Sequence, residues 1–135
     1  MNGSLSYVKG DENETYGPMP SISPIFGTIS GEYTKDKIKI SALYKFSGDK
    51  SPKDYSLGGE DGLEETPVIT ENSNGIIYAG TPKWSDFSIY TNYDISEDVK
   101  IRIALTNIFD NHYRTFASGI SAPGRSFQIG LYLKL

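Results

Sequence analysis

The feature that most constrains this chain is a period-two alternation of apolar and polar residues, repeated in six runs. In the last run Phe127, Ile129, Leu131, Leu133 and Leu135 fall on one side, and Ser126, Gln128, Gly130, Tyr132 and Lys134 on the other. Before it, Val99, Ile101, Ile103 and Leu105 oppose Lys100, Arg102, Ala104 and Thr106. Further upstream Ile38, Ile40, Ala42, Tyr44 and Phe46 oppose Lys37, Lys39, Ser41, Leu43 and Lys45. Phe87, Ile89, Tyr93 and Ile95 share a side broken only by Thr91, against Asp86, Ser88, Tyr90, Asn92 and Asp94. Two weaker runs come first: Leu5 and Tyr7 against Ser4 and Ser6, then Ile25, Ile29 and Tyr33 against Thr28, Ser30 and Glu32, with Gly27 and Gly31 interleaved. Successive side chains of a strand point to opposite faces, so each run predicts a strand with one apolar and one polar face. The strands are expected near 2–9, 25–34, 37–47, 84–95, 98–109 and 125–135.

The links between runs alternate in length. Those at Thr34–Lys37 and Ser96–Asp98 are tight, whereas 10–24, 48–83 and 110–124 are long. In an up-and-down antiparallel sheet this puts every tight turn at one end and every long loop at the other. Outer-membrane barrels are built that way, with short periplasmic turns and long extracellular loops. A compact soluble domain rarely holds an unstructured link as long as 48–83, which is rich in Gly, Ser and acidic residues. The expectation is all-β: an antiparallel, up-and-down transmembrane barrel segment of about six strands. No stretch approaches the roughly 20 apolar residues of a membrane helix. A mean hydropathy of −0.39 suits a barrel whose strands are half polar.

Composition removes several function classes. A net charge of −4 with scattered Lys and Arg argues against a nucleic-acid partner. The absence of cysteine excludes disulfides, cysteine zinc sites and thiol nucleophiles. Met1-Asn2-Gly3-Ser4 has neither the basic start nor the apolar segment of a signal peptide, so any export signal is expected to lie outside this sequence.

The most specific stretch is Leu105-Thr106-Asn107-Ile108-Phe109-Asp110-Asn111-His112-Tyr113-Arg114, followed by Ser118-Gly119-Ile120-Ser121-Ala122-Pro123-Gly124-Arg125 and the final alternating run. It resembles the N-L-F-D-x-x-Y signature and the P-G-R segment that close the barrels of TonB-dependent outer-membrane receptors. Pro18, Pro20 and Pro24 in the first long link resemble a proline-containing loop upstream in the same barrels. The likeness extends over all six strands, and its specificity lies in residues 105–135. It implies the last six strands of a 22-stranded barrel, the plug domain and energy-coupling segment lying outside this chain. It also implies outer-membrane lipid, the barrel-assembly machinery, the TonB complex (reached through the plug) and a small-molecule metal chelate or similar nutrient as partners. Barrels of this kind usually end in an aromatic residue, whereas this sequence ends in Leu135.

Within the signature, Leu105, Asn107 and Phe109 share the lipid-facing parity, which predicts Phe109 at the outer aromatic girdle. Asp110-Asn111 opens a turn, Pro123-Gly124 breaks the ladder, and Arg125 is expected to pair with a loop carboxylate. Trp84 and the strand-end tyrosines are read as girdle residues rather than a sugar or base platform. Lys39, Lys45, Arg102 and Lys134 fall on the inner face, where they pair with carboxylates or a plug, or line a path for an anionic chelate. His112, the single histidine, lacks a second metal ligand at a recognisable spacing and is read as structural. Glu60, Asp61, Glu64 and Glu65, within the acidic stretch 54–65, match no EF-hand spacing and are read as a solvated acidic loop. Nothing pairs Asp86, Asp94 or Glu97 across a cleft as glycosidase chemistry demands. No catalytic, cofactor-binding or metal-ligating residue is assigned, no cofactor is expected, and the chain is read as a non-enzyme. Two other readings remain: a small eight-stranded outer-membrane barrel with an adhesin or structural role, which would need two more strands from 48–83, with Ile76, Ile77 and Tyr78 as candidates; and a soluble β-sandwich binding module, which would bury its apolar faces against each other.

Overall fold

The computed structural model describes residues 1–10, 17–73 and 75–134. Six strands form one antiparallel sheet in the order β1 (Asn2–Ser6), β2 (Phe26–Lys35), β3 (Ile38–Ser47), β6 (Trp84–Asp94), β7 (Val99–Thr106) and β8 (Ser126–Leu133). Each strand pairs with its predecessor in the sheet, and β1 and β8 are the two edges. The expected strands are present with ends shifted by a few residues; the expected end at Leu135, and positions 11–16 of the first long link, lie outside the described residues. The 48–83 link holds a pair that alternation did not reveal, β4 (Val68–Asn72) and β5 (Gly75–Tyr78). They form a separate two-stranded sheet, so they do not supply the extra wall strands an eight-stranded barrel needs.

Register aligns the six alternations. Gly31, Ala42, Ile89, Leu105 and Phe127 form one row across β2, β3, β6, β7 and β8, and Tyr33, Ile40, Thr91, Ile103 and Ile129 form the next. A slip of one residue anywhere would transfer a whole strand's apolar set to the wrong face. One face of the sheet is therefore predominantly apolar, interrupted by Thr91 in mid-sheet and by Lys35 and Ser85 towards its ends. Nothing covers it among the described residues: Ile29, Tyr33, Tyr93, Phe127, Ile129, Leu131 and Leu133 are all exposed. Among the described residues the only buried apolar side chains are Tyr55 and Ala104, neither of them on that face, while Ser47, Lys50, Asp61, Thr81, Asp86, Ser88 and Asn107 are buried polar ones. This inverts a soluble core, and the apolar packing that a β-sandwich requires is missing.

The opposite face is polar and internally paired. Lys39 meets Glu32 at 2.8 Å, Lys45 meets Asp86 at 3.2 Å and Lys100 meets Asp94 at 3.2 Å. The Arg102 guanidinium lies 5.9 Å from the centre of the Tyr90 ring. Lys134 falls just past β8, where its backbone N–H donates to the Asp98 carbonyl.

The connections segregate as their lengths predict. The β2–β3 turn is closed by the Lys35–Ile38 pair with Asp36 at φ 49°, a left-handed conformation that Asp tolerates. Lys37 Nζ donates to the Ile95 carbonyl of the β6–β7 turn at 3.0 Å, so the two tight turns sit together. The three long links meet at the other end of the sheet.

Candidate functional site

The long links are joined by a small buried cluster. Lys50 Nζ lies 3.0 Å from Asp61 Oδ2 and donates to the Ile22 carbonyl at 2.6 Å. Asp61 also accepts from the backbone N–H groups of Ser21 at 2.7 Å and Ser56 at 3.3 Å. Lys50 further lies over the rings of Tyr55 and Phe116, at 5.0 and 4.2 Å from their centres. Residues from all three long links therefore converge on one ammonium group. Gly80 (φ 77°) presses against the Lys50 carbonyl, and this close approach allows the Lys50–Thr81 bridge. Burial pushes the Asp61 carboxyl up, but its N–H donors and the Lys50 ammonium outweigh burial and hold it below the usual carboxylate range. The expectation of a solvated acidic loop is corrected for Asp61, which is 2% exposed. Glu60 accepts from Ser56 Oγ, and Glu65 lies 3.6 Å from Arg114. Among the described residues no three His, Asp or Glu side chains converge as a metal site would require.

A second network accounts for the signature residues. Asn107 sits at φ 47°, which ends β7 and breaks its alternation. The lipid-facing parity expected for Asn107 is therefore corrected: the residue is 2% exposed. Its amide donates to the carbonyls of Asn111 at 2.9 Å and Pro123 at 3.1 Å, and its Oδ1 accepts the Asn111 N–H at 3.0 Å. Asn111 in turn donates to the Ser85 carbonyl at 2.7 Å. Ser88 Oγ accepts the Asn107 N–H and donates to Asp86, which also accepts from Tyr113 OH at 2.9 Å. Burial first, then the hydrogen bond and charge of Asp86, push the Tyr113 phenol up to about 12. Asp110 accepts the Arg125 N–H at 2.8 Å, and the two side chains lie 3.6 Å apart, so Arg125 finds the loop carboxylate expected for it. That N–H, with the guanidinium charge, holds the Asp110 carboxyl below its ordinary value. These bonds tie both ends of the 110–124 loop to the ends of β6, β7 and β8.

The aromatic residues divide between the faces. Phe109 stacks on Phe87 at 6.0 Å, and Tyr44 stacks on Phe46 at 6.0 Å, both on the apolar face at the loop end. Trp84 does not join them. It shares the parity of Asp86 and Ser88, pairs with Ser47 and stacks on Tyr113 at 4.2 Å, which corrects its expected place in the girdle. Its indole N–H is buried without an acceptor among the described residues.

Between the links lies a cleft of about 310 Å³, lined by Glu65, Thr81, Lys83, His112, Tyr113 and Arg114 among others. His112 is exposed and makes no hydrogen bond or ion pair with any described residue. Asp86 and Asp94 are eight residues apart on one strand, about 27 Å at the usual rise, so they do not face each other across a cleft.

No protein-family model matches the chain, and no curated protein matches it in sequence. Among solved structures, the chain is similar to "Copper transporter OprC", with a TM-score of 0.68 and 18% sequence identity. The match covers 97% of this chain and 19% of that one, so the chain spans about a fifth of the transporter's length. At this identity the likeness is one of fold, and it shows the six-stranded sheet to have the architecture of an outer-membrane β-barrel wall.

Proposed function

We propose that this chain is part of an outer-membrane receptor for TonB-driven uptake of a scarce nutrient, such as a ferric siderophore, haem or cobalamin. The observation that carries the reading is the inverted sheet: an uncovered apolar face, a paired polar face, and all long links gathered at one end. The apolar face meets outer-membrane lipid, the polar face lines the lumen, and the linked loops face the cell exterior. The signature network supports the family assignment, because its residues have the structural task of fixing the last loop. Nutrient capture belongs to the loop end, and energy comes from the TonB complex acting through a plug. The barrel-assembly machinery inserts the protein. No covalent chemistry is proposed.

The cleft beside His112 is where the linked loops offer a ligand polar side chains. Because the structurally similar protein is a copper transporter, copper joins the nutrients to be tested. The test is uptake of labelled ferric siderophore, haem, cobalamin and copper by cells with and without the gene encoding this chain, each with and without functional TonB. Gene-dependent uptake of one nutrient that stops without TonB is expected. Gene-dependent uptake indifferent to TonB would overturn the energy-coupled reading.

A further inference from the structure

We propose that the polar face of the sheet carries a carboxylate-binding site centred on Arg102, a site that rests on the reading above of this face as the lumen wall. The strands turn four cations to this face: Lys39, Lys45, Lys100 and Arg102. The first three meet a carboxylate of an adjacent strand, at 2.8, 3.2 and 3.2 Å. Arg102, midway along β7, is exposed and makes no hydrogen bond or ion pair with any described residue. The Tyr90 ring, 5.9 Å from the guanidinium, lies on the same face.

Register builds a frame of donors around this guanidinium. Asn92 of β6 and Gly130 of β8 are its cross-strand neighbours. Gly130 has no side chain to fill the space beside Arg102, and a Cβ there would meet only the Tyr132 ring, at 3.4 Å. Gln128 and Tyr132 flank Gly130 on the same face, at the diagonal spacing of about 7–8 Å that long side chains span. The side chains of Asn92, Gln128 and Tyr132 also make no hydrogen bond with any described residue. Two amides, a phenol and a guanidinium therefore border one gap, and the acceptor they lack comes from outside this wall. Charge sets its class. Four cations against three carboxylates leave an excess of one, which a single carboxylate balances, whereas a phosphate monoester brings about −1.5 to −2. The arginine fork also matches the two oxygens of a carboxylate. The carboxylate belongs either to the part of the receptor that fills the lumen or to a solute in transit, and these two sources differ in residence.

The experiment uses the intact outer-membrane protein carrying this chain, inserted into phospholipid vesicles, with heat-modifiable gel mobility confirming insertion. Phenylglyoxal modifies free guanidinium groups, and mass spectrometry reads its rate at Arg102 against that of a free arginine derivative. In a second sample p-benzoylphenylalanine replaces Gln128, and irradiation captures what lies beside it. A resident protein carboxylate should keep modification slow without added solute. The captured peptide should then hold an Asp or Glu whose change to the amide speeds modification at least tenfold. A solute carboxylate should instead leave Arg102 rapidly modified, and millimolar succinate should slow the reaction at least tenfold where succinamide does not. Each of these results supports the site and names its source. Rapid modification indifferent to succinate would overturn the site alone. Slow modification with no acid captured, or unchanged by the amide substitution, would overturn it as well. Failure of the wild-type protein to insert would overturn the outer-membrane reading, and this site with it.

Discussion

Replacing Ile129 by arginine tests most directly which face of the sheet meets lipid. Ile129 lies three residues from the start of β8 and four from its end, about 10 and 14 Å along the strand. It is 67% exposed and sits beside Ile103 of β7, on the apolar face. Little protein packing is lost on substitution, so the cost measures the solvent outside. In hydrocarbon near the midplane an arginine costs about 2–4 kcal/mol in a barrel of this kind, roughly 30- to 700-fold in the folding equilibrium. In water the same change at an exposed position should stay within about 0.5 kcal/mol. Gly130, the next residue, shares the polar face with Arg102. A Cβ there would meet only the Tyr132 ring, at 3.4 Å, so Gly130→Ser should cost less than about 1 kcal/mol. Both variants would be unfolded by urea from phospholipid vesicles in the intact outer-membrane protein, with the folded fraction read by heat-modifiable gel mobility. A loss of about 2–4 kcal/mol for Ile129→Arg alone is expected. Equal stabilities, or a larger loss for Gly130→Ser, would refute the assignment of the apolar face to lipid.

Epitope tags inserted in the 48–83 loop should be reached by antibody on intact cells; reach only after the outer membrane is opened would reverse the topology. Asp61→Ala leaves Lys50 buried without its counter-charge, a loss of about 3–5 kcal/mol, and should release the linked loops to protease while the membrane strands stay protected. Because the folded Asp61 carboxyl is held below its unfolded value of roughly 3.9, its stabilisation is complete above that pH and lost as pH falls through the lower folded value. Protease protection of the loops should therefore be the same at pH 7 and pH 5 and decline only in stronger acid, which a pH series of limited proteolysis would show. Asn107→Gly should cost about 2–3 kcal/mol in lost side-chain hydrogen bonds, and Asn107→Ala about 1 kcal/mol more because Ala also strains at φ 47°, a difference read by urea unfolding. Purified by itself, the 135-residue chain should aggregate without detergent, since two open edges and an uncovered apolar face template association; a sharp melt of a monodisperse detergent-free sample would contradict this.

The six wall strands, their faces and the separation of short turns from long loops were legible in the amino-acid sequence. Side chains on a strand have a period of two, so composition along the chain reports faces directly, and an antiparallel order turns link lengths into ends. The pairing of Arg125 with a loop carboxylate was legible too, though not that Asp110 would be the partner. What the sequence could not convey is decided by contacts between distant segments. Asp61 reads as one acid among four, and only the approach of Ser21, Ile22 and Lys50 makes it the buried centre of the loop cluster. Parity placed Asn107 on the lipid face because nothing local announces a left-handed residue there; the carbonyls it serves belong to Asn111 and Pro123. Trp84 looked like a girdle residue from its type and strand-end position, yet its partner Tyr113 arrives from a loop 29 positions along the chain. The β4–β5 hairpin was legible only as the candidate run Ile76–Tyr78, because both strands are short and almost wholly exposed, so no alternation marks them. Periodicity carries the wall because a strand turns successive residues to two unlike faces, whereas a polar site is built from a few long-range bonds that leave no repeating trace in the chain.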